Sequence, residues 1–288
     1  GRDELARALD LYLARILHSG STSIEAKSGY GLTTDTELLH LELIRDAAAR
    51  TPLRIVPTFL GAHVVPRGAG SEEFTQEIIG EMLPRVAKQG IARYQDVSCS
   101  PTTFTHDQCA RMIEAGAKLG LPARVHTDGG VSNGGWEFAT SHGAVTADHL
   151  TFTPDEEIKR VGASQTIANL IPAAELYYRT SRRANVHAFI EAGAAVAIAT
   201  DFCSSIHCPS QYATLAFTAA WYRMTPEEVI AAATVNAAYA IGMGKDAGTL
   251  EKGKFADLLI VEIPDYRMLA FEFGRHAVQT VVVGGKVV

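Results

Sequence analysis

Residues 195–201 read Ala195-Val196-Ala197-Ile198-Ala199-Thr200-Asp201, an apolar run closed by a carboxylate. Two earlier stretches have the same form: Ala123-Arg124-Val125-His126 closes on an imidazole, and Val145-Thr146-Ala147-Asp148-His149 on another. A short apolar run that opens into a polar loop is the signature of a buried strand in a parallel sheet. An α/β barrel builds its active site from the residues at the C-terminal ends of its strands. Two histidines and an aspartate placed there predict a barrel whose mouth holds one divalent metal ion.

Outward from these stretches, helix and strand signals alternate. Helical apolar spacing covers residues 3–17, 35–49, 73–89, 106–119, 136–142 and 183–192. Strand-like runs fall between them at 23–26, 53–58, 94–98, 122–126, 144–147, 165–171 and 195–200. Thr153-Pro154-Asp155-Glu156 reads as a further helix start with Thr153 as its cap. Strands separated by helices indicate βα units. The seven runs are one short of a closed (β/α)8 barrel. The expected fold is therefore a TIM-like metallohydrolase barrel over residues 1–244 whose first strand lies before Gly1. A doubly wound open sheet is the alternative. Residues 211–222 and 225–242 read as two helices, the second opened by the capping box Thr225-Pro226-Glu227-Glu228. The remainder, 245–288, is turn-rich and ends in a glycine-turn hairpin at 278–288, which suits part of a small β-sandwich domain needing strands from elsewhere.

Composition narrows the function classes. A net charge of -6 with no basic cluster argues against nucleic acid. No apolar run approaches the roughly 20 residues of a membrane helix. Four cysteines suit reduced thiols in the cytoplasm better than a disulfide framework. The expected partner is a small-molecule substrate.

The chemistry of such a mouth is hydrolytic. Imidazole and carboxylate are ligands for Zn2+ or iron, a bound divalent ion makes hydroxide accessible near pH 7, and a neighbouring histidine can carry a proton to a leaving nitrogen. Ser28-Gly29-Tyr30-Gly31-Leu32 and Leu60-Gly61-Ala62-His63 follow the first two strand-like runs and bring a phenol and a third imidazole to the same end. Cys203, His207 and Cys208 lack the spacing of a standard zinc site, and Lys27 at a strand end reads as an ion-paired lysine.

The strings Glu25-Ala26-Lys27-Ser28-Gly29-Tyr30-Gly31-Leu32 and Thr58-Phe59-Leu60-Gly61-Ala62-His63-Val64-Val65-Pro66 resemble the imidazolonepropionases of the amidohydrolase superfamily. So do Ala147-Asp148-His149-Leu150, Ala199-Thr200-Asp201-Phe202 and Pro264-Asp265-Tyr266-Arg267. The resemblance implies one Zn2+ or Fe2+/Fe3+ ion and hydrolysis of 4-imidazolone-5-propanoate to N-formimidoyl-L-glutamate in histidine degradation. It also leaves room for a homodimer. It implies His126 and Asp201 as metal ligands, His149 as the catalytic histidine, and Tyr30, His63, Gly129 and Ser205 at substrate-binding positions.

The chain departs from the family in several places. It contains no His-x-His pair, which supplies two further ligands in the family, and it lacks a substrate-binding arginine from the same region. Gly129 stands where the family carries Glu or Gln, with Asp128 and Glu137 as candidate replacements. Cys203-Ser204-Ser205-Ile206 replaces an Asn-Pro-Gly-Thr loop. Two other readings stay open: an amidohydrolase acting on another cyclic amide or as a deaminase, and a non-catalytic remnant.

Overall fold

The computed structural model describes all residues from Gly1 to Val288. Seven strands form one parallel sheet: β1 Ser23–Lys27, β2 Arg54–Ala62, β3 Tyr94–Cys99, β4 Ala123–Thr127, β5 Thr146–His149, β6 Ile167–Leu170 and β7 Val196–Ile198. Their order in the sheet is their order in the chain. A doubly wound sheet reverses direction at a switch point, and this one never does, which excludes that alternative.

The sheet is strongly curled. Strands β1 and β5 stand four steps apart, about 19 Å in a flat sheet. Yet Lys27 Nζ of β1 lies 3.4 Å from Asp148 Oδ2 of β5. Only a sheet wrapped around its own inner face allows that contact. The curl stays open, with β1 and β7 as edges that do not pair with each other.

Alternation along the strands separates two environments. Val97, Val125 and Ala147 face outward into the main core, where Met82, Leu83, Trp136 and Phe189 are also fully buried. Truncating a large side chain in such a layer costs about 3–5 kcal/mol. Their neighbours Asp96, Arg124, His126 and Asp148 are buried as well but face inward, where His126 meets both aspartates and Arg124 meets Glu25. Barrel interiors are usually filled by branched apolar side chains. This one is filled largely by charge.

Several helices differ from their sequence reading. The helix over 71–89 carries a π-helical turn at Ile78–Met82, directly before Pro84, which has no N–H to continue the ladder. Thr153 does not cap the following helix. Pro154 holds that position, and the Thr153 hydroxyl instead donates to Asp128 Oδ2 at 2.7 Å. The single helix expected over 225–242 breaks at Thr234 into Pro226–Ala233 and Val235–Ala240. A six-residue helix, Pro172–Tyr177, was not anticipated.

The C-terminal strands β8 Leu258–Val261, β9 Val278–Val283 and β10 Lys286–Val287 form their own antiparallel sheet in the order β10-β9-β8. Gly284 and Gly285 (φ 57° and 79°) make the two-residue turn between β9 and β10. These three strands pair with one another and leave β8 and β10 as the edges of the sheet. One face of it packs through Val281 and Val283 on Leu13 and Leu17 of the first helix, Arg2–His18.

Candidate active site

Four rings meet at the C-terminal ends of β1, β2, β4 and β5. Ser28 fixes the first turn: its N–H donates to Thr58 O at 2.9 Å, and its Oγ accepts from Leu60 N at 3.0 Å. Gly29 then turns at φ 135° and Tyr30 at φ 58°, which sets the phenol edge-on to His63 with ring centres 5.3 Å apart. His63 stands edge-on to His126 at 4.9 Å, and His126 lies 5.3 Å from His149. Tyr30, His63, His126 and His149 therefore form one continuous row.

Asp201 follows β7 and joins this row by charge. Burial raises its carboxyl above the ordinary range, while His126 pulls the other way. Burial also raises Tyr30, with Cys203 and Asp201 adding to the effect. Asp201 accepts no hydrogen bond, and His149 makes none. The Nδ1 of His63 is buried without a partner. Burial, reinforced by the neighbouring His126, lowers His149 to about 3 and His63 to about 4. Both rings are neutral at pH 7. They are available as bases or ligands.

Beneath the row lies a charge network that the sequence reading did not anticipate. Asp96 Oδ1 is 2.8 Å from His126 Nδ1, and its other oxygen pairs with Lys27 Nζ. Lys27 also lies 3.2 Å from Glu25 Oε2 and 3.4 Å from Asp148 Oδ2. Arg124 completes the group, 2.9 Å from Glu25 Oε1 and stacked on the Tyr94 ring. Burial opposes charge on Asp96, but His126 and Lys27 outweigh it and hold this carboxyl well below the usual range. Lys27 is the ion-paired lysine expected from the sequence, and an ammonium held this way is a poor candidate for a modified metal ligand.

Gly129 borders His149: a Cβ built there would lie 3.3 Å from His149 Cγ. Neither proposed substitute for the family's acid or amide reaches that place. Asp128 is buried with one oxygen bonded to Asn133 N and the other to Thr153 Oγ1, and Glu137 is exposed and paired with Arg160 at 2.7 Å. The Ser205 Oγ contacts only Cys203 Sγ, at 3.7 Å. All four cysteines are free thiols, His207 packs against Tyr12 and Phe202, and the cluster of possible ligands Asp96, His126 and Asp148 includes no cysteine.

The backbone of this rim is strained. Tyr30, Leu32, Asp128, His149, Leu150 and Asp201 all have φ between 50° and 83°. Each lies at or just beyond a strand end. Non-glycine residues in this region cost about 1–2 kcal/mol apiece.

An inward-curled parallel sheet with histidines and an aspartate at its mouth has close counterparts. The sequence profile of the Amidohydrolase family matches residues 3–288. The chain belongs to the amidohydrolase family. An imidazolonepropionase of Geobacillus kaustophilus is 41% identical over 99% of this chain and 67% of its own length. One from Shouchella clausii is 40% identical over 99% and 64%. The chain thus spans about two thirds of the length of these relatives. Among solved structures, a zinc-bound adenosine deaminase from Xanthomonas campestris superposes with a TM-score of 0.75 at 19% identity, covering 100% of this chain and 70% of that one. The zinc complex of an atrazine chlorohydrolase from Arthrobacter aurescens gives 0.74 at 17%, covering 100% and 72%. These two establish the shared barrel fold.

As an amidohydrolase the chain is a hydrolase of C–N bonds, with a small-molecule substrate and a divalent metal. The residues present fit such an ion. His126 has Nδ1 engaged, which leaves Nε2 as its ligand atom, and Asp201 offers a carboxylate with no other partner. Further ligands do not come from a His-x-His pair within these residues. No helix is long and apolar enough to cross a membrane.

Proposed function

We propose that this chain carries the hydrolytic centre of an imidazolonepropionase, which opens 4-imidazolone-5-propanoate to N-formimidoyl-L-glutamate in histidine degradation. The observation that carries the reading is the row Tyr30–His63–His126–His149 with Asp201 beside it, in a chain about 40% identical to imidazolonepropionases over nearly its whole length. His126 and Asp201 are the proposed ligands for Zn2+ or Fe2+/Fe3+. A bound ion of this kind lowers the pKa of water and polarises a carbonyl oxygen.

The rest falls to the protein's own side chains. His149, neutral and without a protein partner, accepts a proton at a ring nitrogen and returns it to the departing ring nitrogen of the substrate. Tyr30 keeps its phenolic proton and, with His63, hydrogen-bonds the substrate across the mouth. Ser205 and Gly129 are the remaining proposed substrate-binding positions. A cytoplasmic enzyme, active as a homodimer, completes the proposal, and the four free thiols agree with that compartment.

The test follows the ultraviolet absorbance of imidazolone propionate in the presence of the full protein and Zn2+ or Fe2+. Absorbance should fall with formation of formimidoylglutamate, and His149→Ala should slow this by about 10²–10⁴-fold. No turnover with metal bound would refute the substrate assignment. Gly129, which brings no acid or amide side chain to the edge of His149, favours one second reading, in which the substrate is a related cyclic amide. A panel of substituted five-membered cyclic amides separates the two.

A further inference from the structure

The inward-facing charges stand in a fixed order, and that order bears on how His126 meets a metal. We propose that Lys27 and Asp96 are positioning residues that preset His126 with its proton on Nδ1 and its Nε2 lone pair toward the barrel mouth. This rests on the reading of His126 as a ligand, but not on the identity of the substrate.

Asp96 is fully buried, and both of its oxygens are used. Oδ1 faces His126 Nδ1 at 2.8 Å and the other oxygen is paired with Lys27. An ionised carboxylate only accepts hydrogen bonds, so the imidazole must donate from Nδ1. Asp148 cannot replace it, because its nearest oxygen is 3.9 Å from that nitrogen. Instead Asp148 accepts from Asn169 Nδ2 at 3.0 Å and shares Lys27.

The same geometry explains why Asp96, His126 and Asp148 form a cluster close enough to hold a cation. The cation there is already part of the chain. The Lys27 ammonium reaches from β1 against both carboxylates and also lies against Glu25 of its own strand. It offsets part of the cluster's negative charge and leaves the mouth-facing nitrogen of His126 free. Carboxylate partners of this kind fix ring orientation at metal-binding histidines and typically change metal affinity 10–100-fold when removed.

The experiment reads the ring itself. Long-range 1H–15N correlation on the full chain with 15N-labelled histidine, at pH 9 and without metal, reports which His126 nitrogen carries the proton. The native chain should show a single Nδ1–H form. Asp96→Asn should abolish it in favour of a mixture, Lys27→Met should shift it the same way, and Lys27→Arg should restore it. Competition with a chromophoric chelator should show Zn2+ binding at least tenfold weaker in Asp96→Asn and Lys27→Met. Near-ultraviolet circular dichroism confirms folding, and if Asp96→Asn does not fold, the two Lys27 variants carry the test. An Nε2–H form in the native chain, or an unchanged tautomer in folded variants, would overturn the proposal. A native Nδ1–H form combined with no turnover of imidazolone propionate would reject only the substrate.

Discussion

At the scale of single residues, the sequence exposed the groups that end strands and hid those in mid-strand. His126, His149 and Asp201 are conspicuous because each interrupts an apolar run. Asp96 lies inside Tyr94-Gln95-Asp96-Val97-Ser98-Cys99, and its partners Lys27 and His126 are 69 and 30 positions away. Its only signal was a carboxylate on the inward parity of a strand. Glu175, on the helix Pro172–Tyr177, was hidden because its partners are also distant in the sequence. It is buried and accepts from Thr151 Oγ1 at 3.0 Å, Ala184 N at 2.9 Å and Trp221 Nε1 at 2.7 Å. Burial nevertheless raises its pKa above the ordinary value, against the effect of those donors. The folded state therefore holds this proton to higher pH than the unfolded chain does. The stabilisation is full below about pH 4.3 and is lost as pH rises through the raised value. Urea unfolding of the native chain and of Glu175→Gln across that range should show a flatter pH slope in the variant. An identical slope would show that Glu175 is not responsible.

At the scale of elements, the alternation of helix and strand was legible because the two apolar periods differ and seven βα units repeat them. The Thr225 capping box was equally plain, and both reciprocal bonds are present, from Glu228 N to Thr225 Oγ1 at 3.3 Å and from Thr225 N to Glu228 Oε2 at 2.8 Å. Thr225→Ala should lower stability by about 1 kcal/mol, measured by chemical denaturation. Thr153 had the same local pattern and failed as a cap, because Asp128 competes for its hydroxyl across the loop. Local grammar loses to a buried carboxylate that needs a donor. The helix Pro172–Tyr177 escaped notice because six residues are too few to show a helical period.

At the scale of the molecule, curl and charge are linked: the inner face is polar where strands converge, and the apolar core lies outside it. The strand order followed from the repetition of βα units, whereas the meeting of β1 with β5 depends on curvature that no local pattern encodes. Because the curl is open, stability should be graded across it. Amides of β3, β4 and β5, flanked on both sides, should exchange with solvent slowest, and those of β1 and β7 fastest. Native-state hydrogen exchange read by mass spectrometry checks this, and uniform protection across the sheet would contradict it. The strained rim has a consequence for anyone who sets out to improve this protein. Glycine at half-buried Leu32 would relieve a left-handed backbone and raise the melting temperature, whereas at fully buried Leu150 the lost core packing outweighs that relief. A thermostability screen will select the Leu32 change readily, and it loosens the loop that holds Tyr30 in place. Selection for heat resistance alone would therefore erode turnover here, so the rim belongs on the list of positions to keep fixed.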